Sequence, residues 1–182
     1  MSARAGRSHP LLHAILLITT LGTLYPILWV VSIAFSGKQT LAIAESSAGG
    51  LINAALVAVP GASAFYVGGC VIYTAAGREA LLGITPQDMA GMRSASEPFA
   101  RLLARRVREK LGTTWGLAET GASGPRGNRY GDPAGHACIA VAGPIEAVVT
   151  LETGSAEREA NMRRFTRRAI DLLESCMRKS VP

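Results

Sequence analysis

Apolar positions along this chain follow two regimes. The first is continuous. Residues 10–37 contain no Asp, Glu, Lys or Arg, and the stretch from Leu11 through Ile18 to Ala34 and Phe35 exceeds the ~20 apolar residues a helix needs to cross a bilayer. Arg4 and Arg7 precede it, Lys38 follows it, and Pro26 is placed to kink it. The pattern predicts one hydrophobic helix, membrane association through residues 10–36, and a division of the chain into an anchor, 1–39, and a domain, 40–182. Two other readings remain. A cleaved signal peptide would have a shorter apolar run and a clean small-residue cleavage site. A buried core helix needs cover on every side, and with it the chain would be cytoplasmic. Positive residues ahead of the segment favour an inside N-terminus, which would carry the domain outward.

The second regime is periodic. A short apolar run, 41–44, ends in Glu45-Ser46-Ser47-Ala48-Gly49-Gly50. Helical spacing then carries Leu51, Ala54, Ala55 and Val59, and Pro60-Gly61 stops it. A second strand is expected over 67–74 and a helix over 75–82, closed by Gly83. An amphipathic helix is expected over 94–110, with Ser94 or Ser96 as its cap. A third strand, 114–119, enters Thr120-Gly121-Ala122-Ser123-Gly124-Pro125, and a flexible polar loop covers 126–133. Two strands, 136–142 and 145–152, form a hairpin around Gly143-Pro144, and a helix over 156–177 follows. Strands alternating with helices and ending in a hairpin predict a layered α/β/α domain with a mixed sheet, preceded by the hydrophobic helix.

The formal net charge of +6 changes this picture little. The excess is mostly Arg and sits on the two long predicted helices, as Arg101, Arg105, Arg106 and Arg108, then Arg158, Arg163, Arg164, Arg167, Arg168 and Arg178. Few aromatics are interleaved, so these read as solvated helix faces and no nucleic-acid partner is expected. The three cysteines, Cys70, Cys138 and Cys176, are far apart and form no metal or disulfide spacing. No metal and no cofactor is expected.

The candidate chemistry lies where strands end in loops rich in Gly and Ser. Ligands of open α/β sheets bind at the carboxyl ends of strands, and free N–H groups at a helix start suit an anion. Neither loop is a P-loop, a dinucleotide fingerprint or a nucleophile elbow. Ser46 offers a hydroxyl nucleophile where a strand meets a helix. His136, the one His beyond residue 13, has no evident Asp partner, so a Ser-His-Asp triad is not expected; a Ser with a Lys or Tyr partner is. Tyr73 ends the second strand and is placed to face the same pocket.

Glu45-Ser46-Ser47-Ala48-Gly49-Gly50 resembles the AESCTGG motif of the CinA C-terminal domain family, the nicotinamide mononucleotide deamidases. In family order follow Pro60 to Phe65, Gly68-Gly69 and Tyr73. Leu81-Leu82-Gly83-Ile84 is similar to LLGV, and Ser94-Ala95-Ser96-Glu97 to AVSEE. Thr120 to Pro125 resembles TGIAGP, and residues 135–140 a GTVWIA strand. Arg158, Asn161 and Met162 fall where a GDR-type segment opens the last helix. The resemblance covers residues 41–173. It implies hydrolysis of the nicotinamide carboxamide to nicotinic acid mononucleotide and ammonia, a pyridine mononucleotide as substrate, and a homo-oligomer. Carried over, Ser46 attacks, with Tyr73 and Arg78 as its catalytic neighbours. Glu45, Ser47, Gly49, Gly50, Thr120, Gly121, Ser123, Gly124 and Arg158 bind substrate, with backbone N–H groups near Gly49-Gly50 or Gly121 for an oxyanion and Arg158 for the phosphate. The sequence departs from the family at four places: Arg78 stands where a lysine belongs, Ala48 replaces Thr, Ser47 replaces Cys, and the hydrophobic segment stands where the family has an amphipathic first helix. Arg cannot serve as a base. The departures leave open a catalytically lapsed nucleotide-binding or interaction domain, or a membrane-tethered accessory protein anchored by residues 10–36. Residues 24–37 also resemble the first membrane helix of binding-protein-dependent sugar transporter permeases.

Overall fold

The computed structural model describes Leu28, Val30, Ser32, Ala34 and residues 39–180. Most of the segment 10–36 lies outside the described residues. Among those described, no helix is long and apolar enough to cross a membrane.

The elements are β1 (Leu41–Glu45), α1 (Leu51–Val57), a short 3-10 turn (Ala62–Ala64), β2 (Tyr66–Val71), α2 (Ala75–Leu82), α3 (Glu97–Leu111), β3 (Trp115–Ala122), β4 (His136–Ala142), β5 (Ala147–Glu152) and α4 (Arg158–Ser180). The five strands form one sheet in the order β2-β1-β3-β4-β5. β1 runs parallel to β2 and β3, whereas β3–β4 and β4–β5 are antiparallel. The α/β architecture with a mixed sheet is as the alternation of the sequence predicts.

Alternation along the strands sorts the core into two layers. Leu41, Ile43, Trp115, Leu117, Ala137, Ile139 and Val141 face α1 and α4, meeting Ile52, Leu56, Phe165, Ala169 and Leu173. Ala42, Ala44, Ala118, Cys138 and Ala140 face α3, meeting Phe99, Leu103, Ala104 and Val107. The second face is paved with small residues, so α3 sits close to it. A Cβ on Gly116 would collide with the Ala104 carbonyl oxygen and lie 2.7 Å from Arg108 Cβ. Val30 and Ala34, four residues apart on helical backbone, are buried in the first layer, while Leu28 and Ser32 are exposed. The core of the domain therefore takes side chains from residues ahead of Leu41.

β3 runs three residues past its expected end. Thr120, Gly121 and Ala122 pair with Cys138, Ala137 and His136, so this Gly-containing stretch is strand rather than loop. The 126–133 loop is tied rather than loose. Asn128 Oδ1 accepts from the N–H groups of Tyr130 (3.0 Å) and Asp132 (3.1 Å), and Asn128 N–H donates to the Asp132 carbonyl (3.0 Å).

The topology places the chemistry. β1, β2 and β3 are parallel, so their carboxyl ends reach one edge of the sheet together. That edge receives Ser46 after β1, Tyr73 after β2 and Thr120-Gly121 at the end of β3. The antiparallel β4 begins there with His136, opposite Glu152 at the end of β5.

Candidate active site

A cleft of about 540 Å³ opens at this edge, lined by residues including Ser46, Tyr73, Arg78, Thr120 and Gly121. Five of the residues singled out from the sequence thus share one cavity. The lining adds Met89, Arg93, Phe99, Asn128, Arg129 and Tyr130, which the sequence did not single out.

Cationic groups dominate the cleft. Arg78 lies over the Phe99 ring, its guanidinium carbon 5.5 Å from the centroid. Its Nε is buried with no hydrogen-bond partner among the described residues, a donor directed at an acceptor that the protein does not supply. Arg93 is committed to Asp132 through both guanidinium nitrogens, Nη2 donating to Oδ1 at 2.9 Å. Arg129 Nη2 donates to the Tyr130 hydroxyl at 3.1 Å and its guanidinium stands 5.2 Å from that ring's centroid. The hydrogen bonds from Arg129 and Ser94, with the charges of Arg129 and Arg78, hold the Tyr130 phenol below its ordinary pKa of 10.0.

Arg158 stands just outside the lining. Its Nη2 donates to the Tyr73 hydroxyl (2.9 Å) and its Nη1 to the Gly124 carbonyl (2.5 Å). The guanidinium joins the end of β2 to the loop after β3. Gly49, Gly50, Ser123 and Gly124 also lie outside the lining. Ser123 Oγ is buried without a partner among the described residues, and Asn161 Nδ2 donates to the Ser123 carbonyl at 2.8 Å.

Glu45 and Ser47 are turned inward. Glu45 is fully buried and caps α1: Oε1 accepts from Asn53 N–H at 2.9 Å and Oε2 from Ile52 N–H at 3.2 Å. Asn53 Nδ2 adds a further bond to Oε1 and passes the network to the Tyr66 hydroxyl. A carboxylate at a helix N-terminus satisfies orphan donors and complements the helix dipole. Ser47 Oγ donates to Glu119 Oε1 in the interior.

Glu119 is the principal residue that the sequence did not reveal. It sits fully buried on β3, and its Oε2 accepts from the N–H groups of Ser46 (3.1 Å) and Ala48 (2.8 Å). Burial pushes its pKa from 4.5 up to about 7, against the lowering effect of the bonds from Ser47, Ala48 and Ser46. The only sequence signal is a Glu inside an otherwise apolar strand, which demands a partner in the interior.

His136 has the acid partners that its sequence context concealed. Nδ1 bonds Glu152, Nε2 lies 2.9 Å from the Ala95 carbonyl, and Asp132 Oδ1 is 3.8 Å away. Burial alone would lower its pKa. The bond to Glu152, the Ala95 carbonyl and the charge of Asp132 outweigh that and hold it above 6.5. Both ring nitrogens face acceptors, the arrangement of an imidazolium. His136 thereby braces the Ala95 backbone, which lines the cleft at a φ of 55°. It is absent from the cleft lining.

Comparison with known proteins decides the family. A sequence model of the CinA C-terminal domain matches residues 29–177. The chain belongs to the CinA C-terminal domain family. A CinA-like protein of Gloeobacter violaceus is 43% identical over 136 residues, 74% of this chain and 32% of that one. A CinA-like protein of Anaeromyxobacter sp. strain K is 36% identical over 153 residues, 84% of this chain and 37% of that one. The chain thus spans about a third of the length of these curated relatives. Among solved structures, the CinA superfamily protein of Escherichia coli superposes with a TM-score of 0.72 at 26% identity, covering 78% of this chain and 83% of that one. The CinA superfamily protein KP700603 of Klebsiella pneumoniae shares the fold with a TM-score of 0.80 at 23% identity, covering 86% and 98%.

Proposed function

We propose that this CinA-family domain is a nicotinamide-nucleotide amidase, which hydrolyses the carboxamide of nicotinamide mononucleotide to nicotinic acid mononucleotide and ammonia. The observation that carries the reading is the Ser46 hydroxyl in a cleft of about 540 Å³ that also holds Arg78, Arg93 and Arg129. The volume suits a mononucleotide. The unpartnered Nε of Arg78 suits a phosphate or carboxylate oxygen.

Ser46 Oγ adds to the carboxamide carbon and gives up its proton. Collapse of the tetrahedral adduct expels ammonia, with a proton returned to the leaving nitrogen, and leaves an ester. Water then cleaves the ester, so one amide and one water become one carboxylate and one ammonium. Arg78 stays protonated, so an ionised phenol of the cleft, a phenolate, receives the Ser46 proton and returns it to the leaving nitrogen. Tyr130 is a phenol of the cleft whose ionisation is eased, by its bonds from Arg129 and Ser94. The amides of Ser46 and Ala48 are occupied by Glu119, so the oxyanion needs other donors, and the side chain of Arg78 is one.

The test is product analysis. Ammonia and nicotinic acid mononucleotide are expected in equal amounts from nicotinamide mononucleotide. Conversion without a matching carboxylate product would contradict the reading. A second reading, a domain that binds the nucleotide without turning it over, is favoured by Arg78 at the family's lysine position. Saturable binding without product would select it.

A further inference from the structure

The Ser46-Ser47-Ala48 turn is held from below by one side chain that crosses from another strand. Glu119 of β3 reaches the turn after β1 and takes three of its donors: Ser46 N–H, Ala48 N–H and the Ser47 hydroxyl. No other side chain bonds those amides among the described residues. The cluster is fully interior, with Glu119 at 0% exposure and Ser47 at 4%, so water does not share the load. Ser46 alone of the three turn residues lines the cleft.

We propose that Glu119 is a positioning residue for Ser46, its ionised carboxylate setting the turn that presents the Ser46 hydroxyl to the cleft. The proposal rests on the amidase reading and names the group that tunes it. Three donors converge on two oxygens, and an ionised carboxylate accepts all of them. Protonation turns one oxygen into a donor. The two amides on Oε2 leave no room for a proton there. A proton on Oε1 would oppose the Ser47 hydroxyl and force it to rotate.

The cluster titrates in a working range. Burial raises Glu119 to about 7, the bonds from Ser47, Ala48 and Ser46 oppose that rise, and the charge of Glu45 on neighbouring β1 adds to it. Raising the pH through this range ionises Glu119 and completes the turn.

The test follows the backbone amide resonances of Ser46, Ser47 and Ala48 from pH 5 to 9, alongside ammonia release from nicotinamide mononucleotide. It uses the full chain and Glu119→Gln. Gln is isosteric and its carbonyl keeps both amide bonds, so the variant folds. In the wild type the Ser46 and Ala48 amides are expected to move with one midpoint near 7, and kcat to rise with the same midpoint at constant KM. In Glu119→Gln the amide titration disappears and kcat falls on the order of 10- to 100-fold, the cost of a misplaced reacting group. Ser47→Ala removes a bond that lowers Glu119, so its midpoint moves to higher pH. Amides that do not titrate, or that titrate equally in Glu119→Gln, overturn the proposal. So does a wild-type kcat profile that Glu119→Gln reproduces. Amides that titrate as expected in a protein that releases no ammonia overturn the amidase reading and leave the Glu119-held turn standing.

Discussion

Two buried carboxylates, Glu45 and Glu119, flank the residue that faces the cleft, and they do different work. Glu45 caps α1 with bonds to two backbone amides. Glu119 holds its charge against burial, and its stability cost has a definite sign. The folded protein binds the Glu119 proton more tightly than the unfolded chain, up to about 7 from 4.5, and the same holds for His136 above 6.5. Both contributions are fully present below the unfolded values and are lost as pH rises through the folded ones. Asp132, held down chiefly by Arg93, and Asp88, held down chiefly by the Thr85 backbone, act oppositely, and their support is lost as pH falls below 3.8. Thermal unfolding is therefore expected to show a higher Tm at pH 5 to 6 than at pH 8. Glu119→Gln is expected to remove most of that difference and to stabilise the protein at pH 8, by an amount on the order of 3 kcal/mol at most. A wild-type Tm that climbs between pH 5 and 8 would contradict the assignment of Glu119. A variant that is more stable and less active is the expected mark of a group kept for function.

At the scale of elements, the site depends on the close passage of β3 beside β4. Gly121 lies in that ladder opposite Ala137 and lines the cleft. A Cβ there would collide with the His136 carbonyl oxygen and lie 2.8 Å from Ala137 Cα. Both are backbone atoms with no freedom to give way. Gly121→Ala should therefore lower stability by about 1–3 kcal/mol or more, visible as a fall in Tm, and an unchanged Tm would refute the tight register. This stretch was also the least legible in sequence, because Thr-Gly-Ala-Ser-Gly-Pro reads as a turn, and only the partner strand makes its first three residues β. By contrast, 75–82 and 136–142 are readable to the residue. Gly83 stops the first, at a φ of 65°, and the second is a buried run bracketed by Gly135 and Gly143. The cleft edge was legible through the motifs at Ser46, Tyr73 and Thr120. Glu119 and the Arg93–Asp132 pair were not, because their partners lie 73 and 39 positions away.

For the whole molecule, the N-terminal hydrophobic segment is the feature that sequence patterning treats most ambiguously. A run without charges satisfies both a bilayer and a protein core. The burial of Val30 and Ala34 beside the α1 and α4 layer favours cover by the domain for that part of the segment. Val30→Ala should then cost the domain on the order of 1–3 kcal/mol, measured by denaturant unfolding, whereas no loss of stability would separate the segment from the core. The claim on which the account turns is that Ser46 is the nucleophile of a nicotinamide-nucleotide amidase. Steady-state ammonia release from nicotinamide mononucleotide by the wild type and by folded Ser46→Ala tests it most directly. The account predicts turnover by the wild type and a loss of at least about a thousandfold in kcat/KM for the variant. Equal rates from the two proteins would contradict it.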